Sequence, residues 1–122
     1  MEDKIKTHTL GRLLIYITPA DKIRHGERSI FRRIFPKAAY MHIIQDAKAE
    51  SILNASAYHS HFGFSNNESI QSYNLEGDNS KLTMCVELVD KRDKLERFCL
   101  KHKDYLKSKV VIFKEVEFWD ID

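Results

Sequence analysis

Two histidines, His59 and His61, stand one residue apart in a strand-like run from Asn54 to Phe62. On a strand they share one face, about 6.5–7 Å apart. A third ligand at that distance completes a zinc or copper site, and Glu68, Asp78 or a histidine of another subunit is a candidate for it. The alternative is that both imidazoles form hydrogen bonds at an interface or face solvent. Directly after them comes Gly63-Phe64-Ser65-Asn66-Asn67. Such a turn can aim backbone N–H groups and small polar side chains at an anion, or it can be an ordinary turn. A third chemistry lies in residues 20–38, where Lys22, Arg24, His25, Arg28, Arg32, Arg33 and Lys37 face only Asp21 and Glu27. Arginine forks bind phosphate bidentately. The same segment can instead dock an acidic partner or lipid headgroups, or be a solvated helical face. Further on, Lys101, Lys103, Lys107 and Lys109 collect near the end of a helical pattern, where cations suit the helix dipole. There is no nucleophile elbow, P-loop or HExxH motif, and Glu87, Glu115 and Glu117 lie in strand runs without a partner acid or base. The expectation is a binding protein, not an enzyme.

The elements that must position these groups alternate in a simple order. Arg12 to Ile17 reads as a central strand, ended by Thr18-Pro19. Tyr40, Ile43, Ile44 and Ala47 form an i, i+3, i+4, i+7 stripe over a helix from Tyr40 to Glu50. Asn54 to Phe62 and Leu82 to Val89 read as strands, with a polar Asn-, Ser- and Gly-rich connection from Gly63 to Ser80 between them. That connection holds a weak strand pattern at Ser69 to Leu75, so it is either a hairpin or a mobile loop. Asp90 is the expected N-cap of a second helix with Leu95, Phe98, Cys99, His102 and Leu106 on its stripe, and Val110 to Trp119 is the last strand. The order β-α-β-β-α-β is that of the split βαβ, or ferredoxin-like, sandwich. The fold class is therefore α+β, with a four-stranded antiparallel sheet, two helices on one face and an extra basic segment at 20–38 between the first strand and first helix.

Length and composition are consistent with this. A chain of 122 residues is expected to be one domain over 1–122, with a flexible N-terminus at 1–10. The formal charge of 20 minus 18, or +2, gives no ground for nucleic-acid binding. Cys85 and Cys99 make no metal pattern and read as reduced thiols of a cytoplasmic protein. The charged start, Met1-Glu2-Asp3-Lys4-Ile5-Lys6, is unlike a signal peptide, and no apolar run approaches a membrane span. Association with a membrane is expected only through a membrane-protein partner.

Three stretches together resemble the PII-like proteins, small relatives of the nitrogen-regulatory PII signalling proteins. They are Leu13-Leu14-Ile15-Tyr16-Ile17; Ile52-Leu53-Asn54-Ala55-Ser56 followed by Gly63-Phe64-Ser65; and Val86-Glu87-Leu88-Val89-Asp90 followed by Lys94-Leu95-Glu96-Arg97-Phe98. The second is similar to the family's Gly-Ile-x-x-Ala-Thr/Ser-Val and Gly-Phe-Gly, and the third to Val-Ile-Glu-x-Val-Asp and Lys-Ile-Glu-x-Phe. The resemblance implies a homotrimer of ferredoxin-like domains that signals to a partner protein. It also implies a small anionic ligand, with an adenine nucleotide as the candidate, in the clefts between subunits. On this sequence it points to Gly63, Phe64 and Ser65 as shaping the site, with His61, Arg28 and Lys109 as candidates for contacting phosphate, and to the 63–80 loop as the reporter of ligand state. The chain departs from the pattern at Ser65, where the family has its second glycine, at the 20–38 insertion, and at Lys107-Ser108-Lys109, which lacks phosphate-wrapping glycines. The alternatives are a divalent-metal-responsive module using His59 and His61, similar to the CutA-type cation-tolerance proteins, and a plain protein-interaction module.

Overall fold

The structure, a computed structural model, describes residues 3–21 and 38–122. Along the chain run β1 (Ile5–Ile17), α1 (Ala39–Ala49), β2 (Asn54–His59), β3 (Phe62–Gly63), β4 (Gln71–Ser72), β5 (Met84–Asp90), α2 (Arg92–Lys101), α3 (Lys103–Leu106) and β6 (Val110–Ile121). The main sheet has the order β2-β5-β1-β6, with every neighbour antiparallel. This is the ferredoxin-like sandwich expected from the sequence, with β3 and β4 added as a small separate ribbon.

Strand alternation decides what lies under the helices. Leu13, Ile15 and Ile17 of β1 pair with Leu88, Val86 and Met84 of β5, and Ala55 and Ala57 of β2 continue the same rows. Onto this face pack Ala39, Ile43 and Ala47 of α1, Leu95 and Phe98 of α2 and Leu106 of α3. Ile15, Ile43, Val86, Leu88 and Phe98 are completely shielded. Each such side chain contributes about 1.5–3 kcal/mol of apolar burial. Gly11 is a point of close approach, because a Cβ there would overlap the Phe113 ring and touch Leu95.

The opposite face carries no described helix. Its rows are Tyr58–Cys85–Tyr16–Val110 and Ser56–Glu87–Leu14–Ile112. At its centre the Arg12 guanidinium donates twice to Glu87 Oε2, at 2.9 and 2.7 Å, and the Tyr58 hydroxyl donates to the same oxygen at 2.9 Å. The Arg12 hydrogen bonds hold the Glu87 carboxyl below its ordinary range. Ile112 and Phe118 project from this side half in solvent.

Four expectations need correction. Residues 5–10 are not a loose tail. They extend β1 and pair with β6 as far as Ile5 with Ile121. The polar alternation Lys6-Thr7-His8-Thr9 suits a two-stranded ribbon, both faces of which meet water. Asp90 is not the N-cap of α2, which is Lys91. Asp90 is still in β5, and its carboxylate accepts from Lys91 N at 2.6 Å and Leu53 N at 2.9 Å, so it ties the start of β2 to the start of the helix. The second helix divides at His102, whose N–H is shared between the carbonyls of Phe98 and Cys99 at 3.2 and 3.1 Å. Finally, β2 stops at His59, so His59 and His61 do not lie on one continuous strand.

Helix α1 ends without glycine. Ser51 takes a left-handed conformation, φ 60°. Its N–H bonds to Lys48 O at 3.1 Å and that of Ile52 to Ala47 O at 2.9 Å, a Schellman closure.

Candidate functional site

The polar connection after β2 is built in two tiers. Nearest the sheet, Phe62 and Gly63 pair with Ser72 and Gln71, and Tyr73 N donates to His61 O at 2.6 Å, so the hairpin alternative holds here. Beyond it, Asn74 and Asn79 close a turn on each other: Asn79 Oδ1 accepts from Asn74 N at 2.9 Å, and Asn79 Nδ2 donates to Asn74 O at 2.8 Å. These are side chains substituting for a ladder, as Asn does in turns.

Within the hairpin, Ser65 is buried and Phe64 is exposed. Asn66 adopts φ 57°, a left-handed conformation that Asn tolerates better than most residues. From there its amide donates to Ser108 O at 3.1 Å. One bond thus brings the Gly63-Phe64-Ser65-Asn66 loop against the segment carrying Lys109. The sequence reading placed Asn66 in a turn able to face an anion but did not pair it with Ser108. The signal available was an Asn in a turn rich in small polar residues.

Lys109 is already engaged. Its ammonium lies 2.9 Å from Asp21 Oδ2 and 5.2 Å from the centre of the Tyr105 ring. Asp21 also accepts from the Tyr105 hydroxyl at 3.2 Å, from Thr18 Oγ1 at 3.1 Å and from Thr18 N at 3.3 Å. Its backbone carbonyl accepts from Ala39 N at 2.7 Å. Burial pushes the Asp21 carboxyl up, but the Lys109 ammonium and the Thr18 donors outweigh it, and the group ends below its ordinary value. Burial and then the Asp21 charge push the Tyr105 hydroxyl far upward, so it remains a donor. The result is a clasp on which β1, the start of α1 and the approach to β6 converge.

The other expected site residues fall differently. Arg28, with the rest of the basic run from 22 to 37, lies outside the described residues. His61 sits at the base of the hairpin, its ring edge-on to Tyr73 at 5.3 Å, while His59 stacks flat on Tyr73 at 5.3 Å. The two imidazoles are 6.2 Å apart between centroids, and His59 Nδ1 lies 3.0 Å from Ser60 O. Among the described residues neither Glu68 nor Asp78 completes a three-ligand set with them. What the structure brings together is an aromatic trio, His59, His61 and Tyr73, beside a loop with exposed Phe62 and Phe64. Flat aromatic surface of this kind suits a ligand with a planar ring.

Residues 11–118 match the family DUF190 (Uncharacterized ACR, COG1993). No curated protein sequence matches the chain. Among solved structures, the apo form of CPII from Thiomonas intermedia K12, a nitrogen regulatory PII-like protein, aligns with a TM-score of 0.55 at 10% identity, covering 96% of this chain and 99% of its own. CPII bound to ADP, AMP and bicarbonate aligns with a TM-score of 0.56 at 7% identity, covering 94% and 91%. A protein from Thermus thermophilus, described as a putative PII-like signaling protein, gives 0.52 at 10% identity, covering 94% and 92%. At these identities the likeness is one of fold. It agrees with the PII-like pattern read from the three sequence stretches.

Proposed function

The chain belongs to the DUF190 family, and from that premise we propose that it is a non-enzymatic PII-like signalling protein that binds a small anion, an adenine nucleotide foremost, at clefts between the subunits of a homotrimer. The observation that carries this reading is the Asn66–Ser108 bond, which sets the Gly63–Ser65 loop beside Lys109. The adenine nucleotides bound by CPII, which shares the fold, support the choice of ligand. The face without a described helix, with its apolar rows and the Arg12–Glu87–Tyr58 cluster, is the surface through which the copies meet. The outer edges of β2 and β6, unpaired among the described residues, offer further pairing.

In this reading Gly63, Phe64 and Ser65 shape the pocket, the His61 and Tyr73 rings flank the base, and Arg28 and Lys109 meet phosphate. A phosphate reaches Lys109 only by competing with Asp21. Binding therefore loosens a carboxylate that also holds Thr18 and Tyr105. The ligand favours the opened clasp because only there does it gain the lysine, and that differential affinity drives the change. The 63–80 loop, shifted by the ligand from its hairpin arrangement, presents the signal to a partner protein in the cytoplasm. No described helix is long and apolar enough to cross a membrane. Chain 1–122 acts as one domain.

Titration calorimetry with ATP, ADP, AMP and cyclic nucleotides tests the ligand, and native mass measurement tests the assembly. Saturable heat from at least one nucleotide and a trimeric mass are expected. Absence of heat from all of them at millimolar concentration removes the nucleotide, and a monomeric mass removes the shared cleft.

A further inference from the structure

A second constellation lies on the helix layer, and neither the nucleotide reading nor the His59–His61 pair includes it. His42, Asp46 and Glu50 follow one another at i, i+4 and i+8 along α1 and its C-terminal residue, which puts them on one face. Across from them His102 occupies the break between α2 and α3. His42 and His102 are both buried, 8% and 6% exposed. His102 is oriented by packing, its ring 4.6 Å from that of Phe98 and 6.3 Å from that of His42, edge-on.

The geometry around Asp46 is specific. His42 Nε2 and His102 Nε2 each lie 3.3 Å from the same oxygen, Asp46 Oδ2. An ordinary N–H···O bond is about 2.7–3.2 Å long. By contrast, ligands held tetrahedrally at about 2.0–2.1 Å from zinc are separated from one another by roughly 3.3 Å. Asp46, Glu50 and His102 present ligand atoms that all lie within 4.8 Å of one another. Glu50 is on the solvent side, paired with Lys101 at 3.0 Å, and can swing from that ammonium to an ion.

We propose that Asp46, Glu50 and His102 form a binding site for a divalent cation of the zinc class, one per chain, with His42 held against Asp46 beside it. One imidazole and two carboxylates, with a fourth position open to water, are a donor set that zinc accepts, whereas magnesium and calcium take oxygen alone. Bound there, the ion staples α1 to the α2–α3 junction. His102 lies six residues before Ser108, the residue that Asn66 grips, so the staple bears on the segment next to the proposed nucleotide loop. The proposal stands without that loop's function.

The test uses the full chain, stripped with a chelator and dialysed against zinc. One zinc per chain is expected, with a rise in the thermal midpoint. Cobalt in its place should give the strong visible bands of a tetrahedral site. Asp46→Asn and His102→Gln should each weaken zinc by about 100-fold or more, and the solvent-side Glu50→Gln by about tenfold. The double change His59→Ala, His61→Ala should leave affinity unaltered. If the buried-site variants fail to fold, Glu50→Gln and the cobalt spectrum of the unaltered chain still decide. No stoichiometric zinc at micromolar concentration overturns the proposal. So does zinc that survives the Asp46 and Glu50 changes, or that disappears with His59 and His61.

Discussion

Replacing Asp21 with asparagine should lower stability while tightening anion binding, a pairing of signs that follows from the clasp. The variant keeps an oxygen for Thr18 and Tyr105 but loses the charge opposite Lys109. Asp21 and Lys109 are each about three-quarters shielded, with side-chain exposures of 24% and 25%. Their 2.9 Å contact therefore falls between an exposed pair, about 0–1 kcal/mol, and a hydrogen bond to a charged group, about 1.5–3 kcal/mol. A loss of about 1.5 kcal/mol near neutral pH is expected in urea unfolding followed by circular dichroism. The carboxyl is held below its ordinary value in the folded chain. Its contribution is thus complete above about pH 4, the unfolded value, and fades as pH falls through the lower folded one. The gap between the two proteins should close in acid. ADP affinity measured by calorimetry at neutral pH should rise several-fold, because Lys109 no longer has a resident anion. A stability gap that is absent at neutral pH, or that widens in acid, refutes the clasp. An unchanged or weaker ADP affinity refutes the competition for Lys109.

Three further outcomes follow from single positions. Ser51→Gly should stabilise the chain by about 0.5–1 kcal/mol in urea unfolding, because glycine occupies the left-handed φ of 60° without strain; a loss of stability would show that the Schellman closure does not govern this turn. Gly11→Ala should cost about 1–3 kcal/mol by the same measurement, since its methyl must displace Phe113, whose ring also carries the Arg92 guanidinium 4.8 Å from its centre. Ile112→Asp alters a side chain already 37% exposed on the face without a described helix, so a single chain should keep its fold by circular dichroism, while the proposed trimer should give way to a monomer in native mass measurement; a trimer that persists would move the interface elsewhere.

The sandwich was legible because its signals are local. Ile43 and Ala47 repeat with the helix, Leu13, Ile15 and Ile17 alternate with the strand, and Phe98 and Leu95 mark the second helix. The site was harder to read. Gly63, Phe64 and Ser65 were singled out by motif and remain a proposal, whereas the bond from Asn66 to Ser108 spans 42 residues and leaves no periodic trace. Asp21 looked like a minor acid in a basic run. Its partners Lys109 and Tyr105 come 88 and 84 residues later, so only the closed fold reveals the cluster. His102 was read as part of an apolar stripe, which it is, but its other edge faces Asp46. Cys85 and Cys99 are free as expected, and burial pushes both thiols up. The ribbon formed by Ile5–Leu10 and Val116–Ile121 was missed on the β1 side because polarity was taken as looseness, when a two-sided ribbon accepts polar residues on both faces.

The bond between the Ala39 amide and the Asp21 carbonyl, 2.7 Å long, has a use beyond holding the clasp. It brings the exit and re-entry points of residues 22–37 to touching distance, so whatever the chain inserts there starts and finishes at one spot on the scaffold. Doubling the length of such an insert costs only about 0.6 kcal/mol in closure entropy. A change in the length of that stretch therefore costs the scaffold little, and a protein engineer can treat the spot as a socket for an added peptide or an optical reporter.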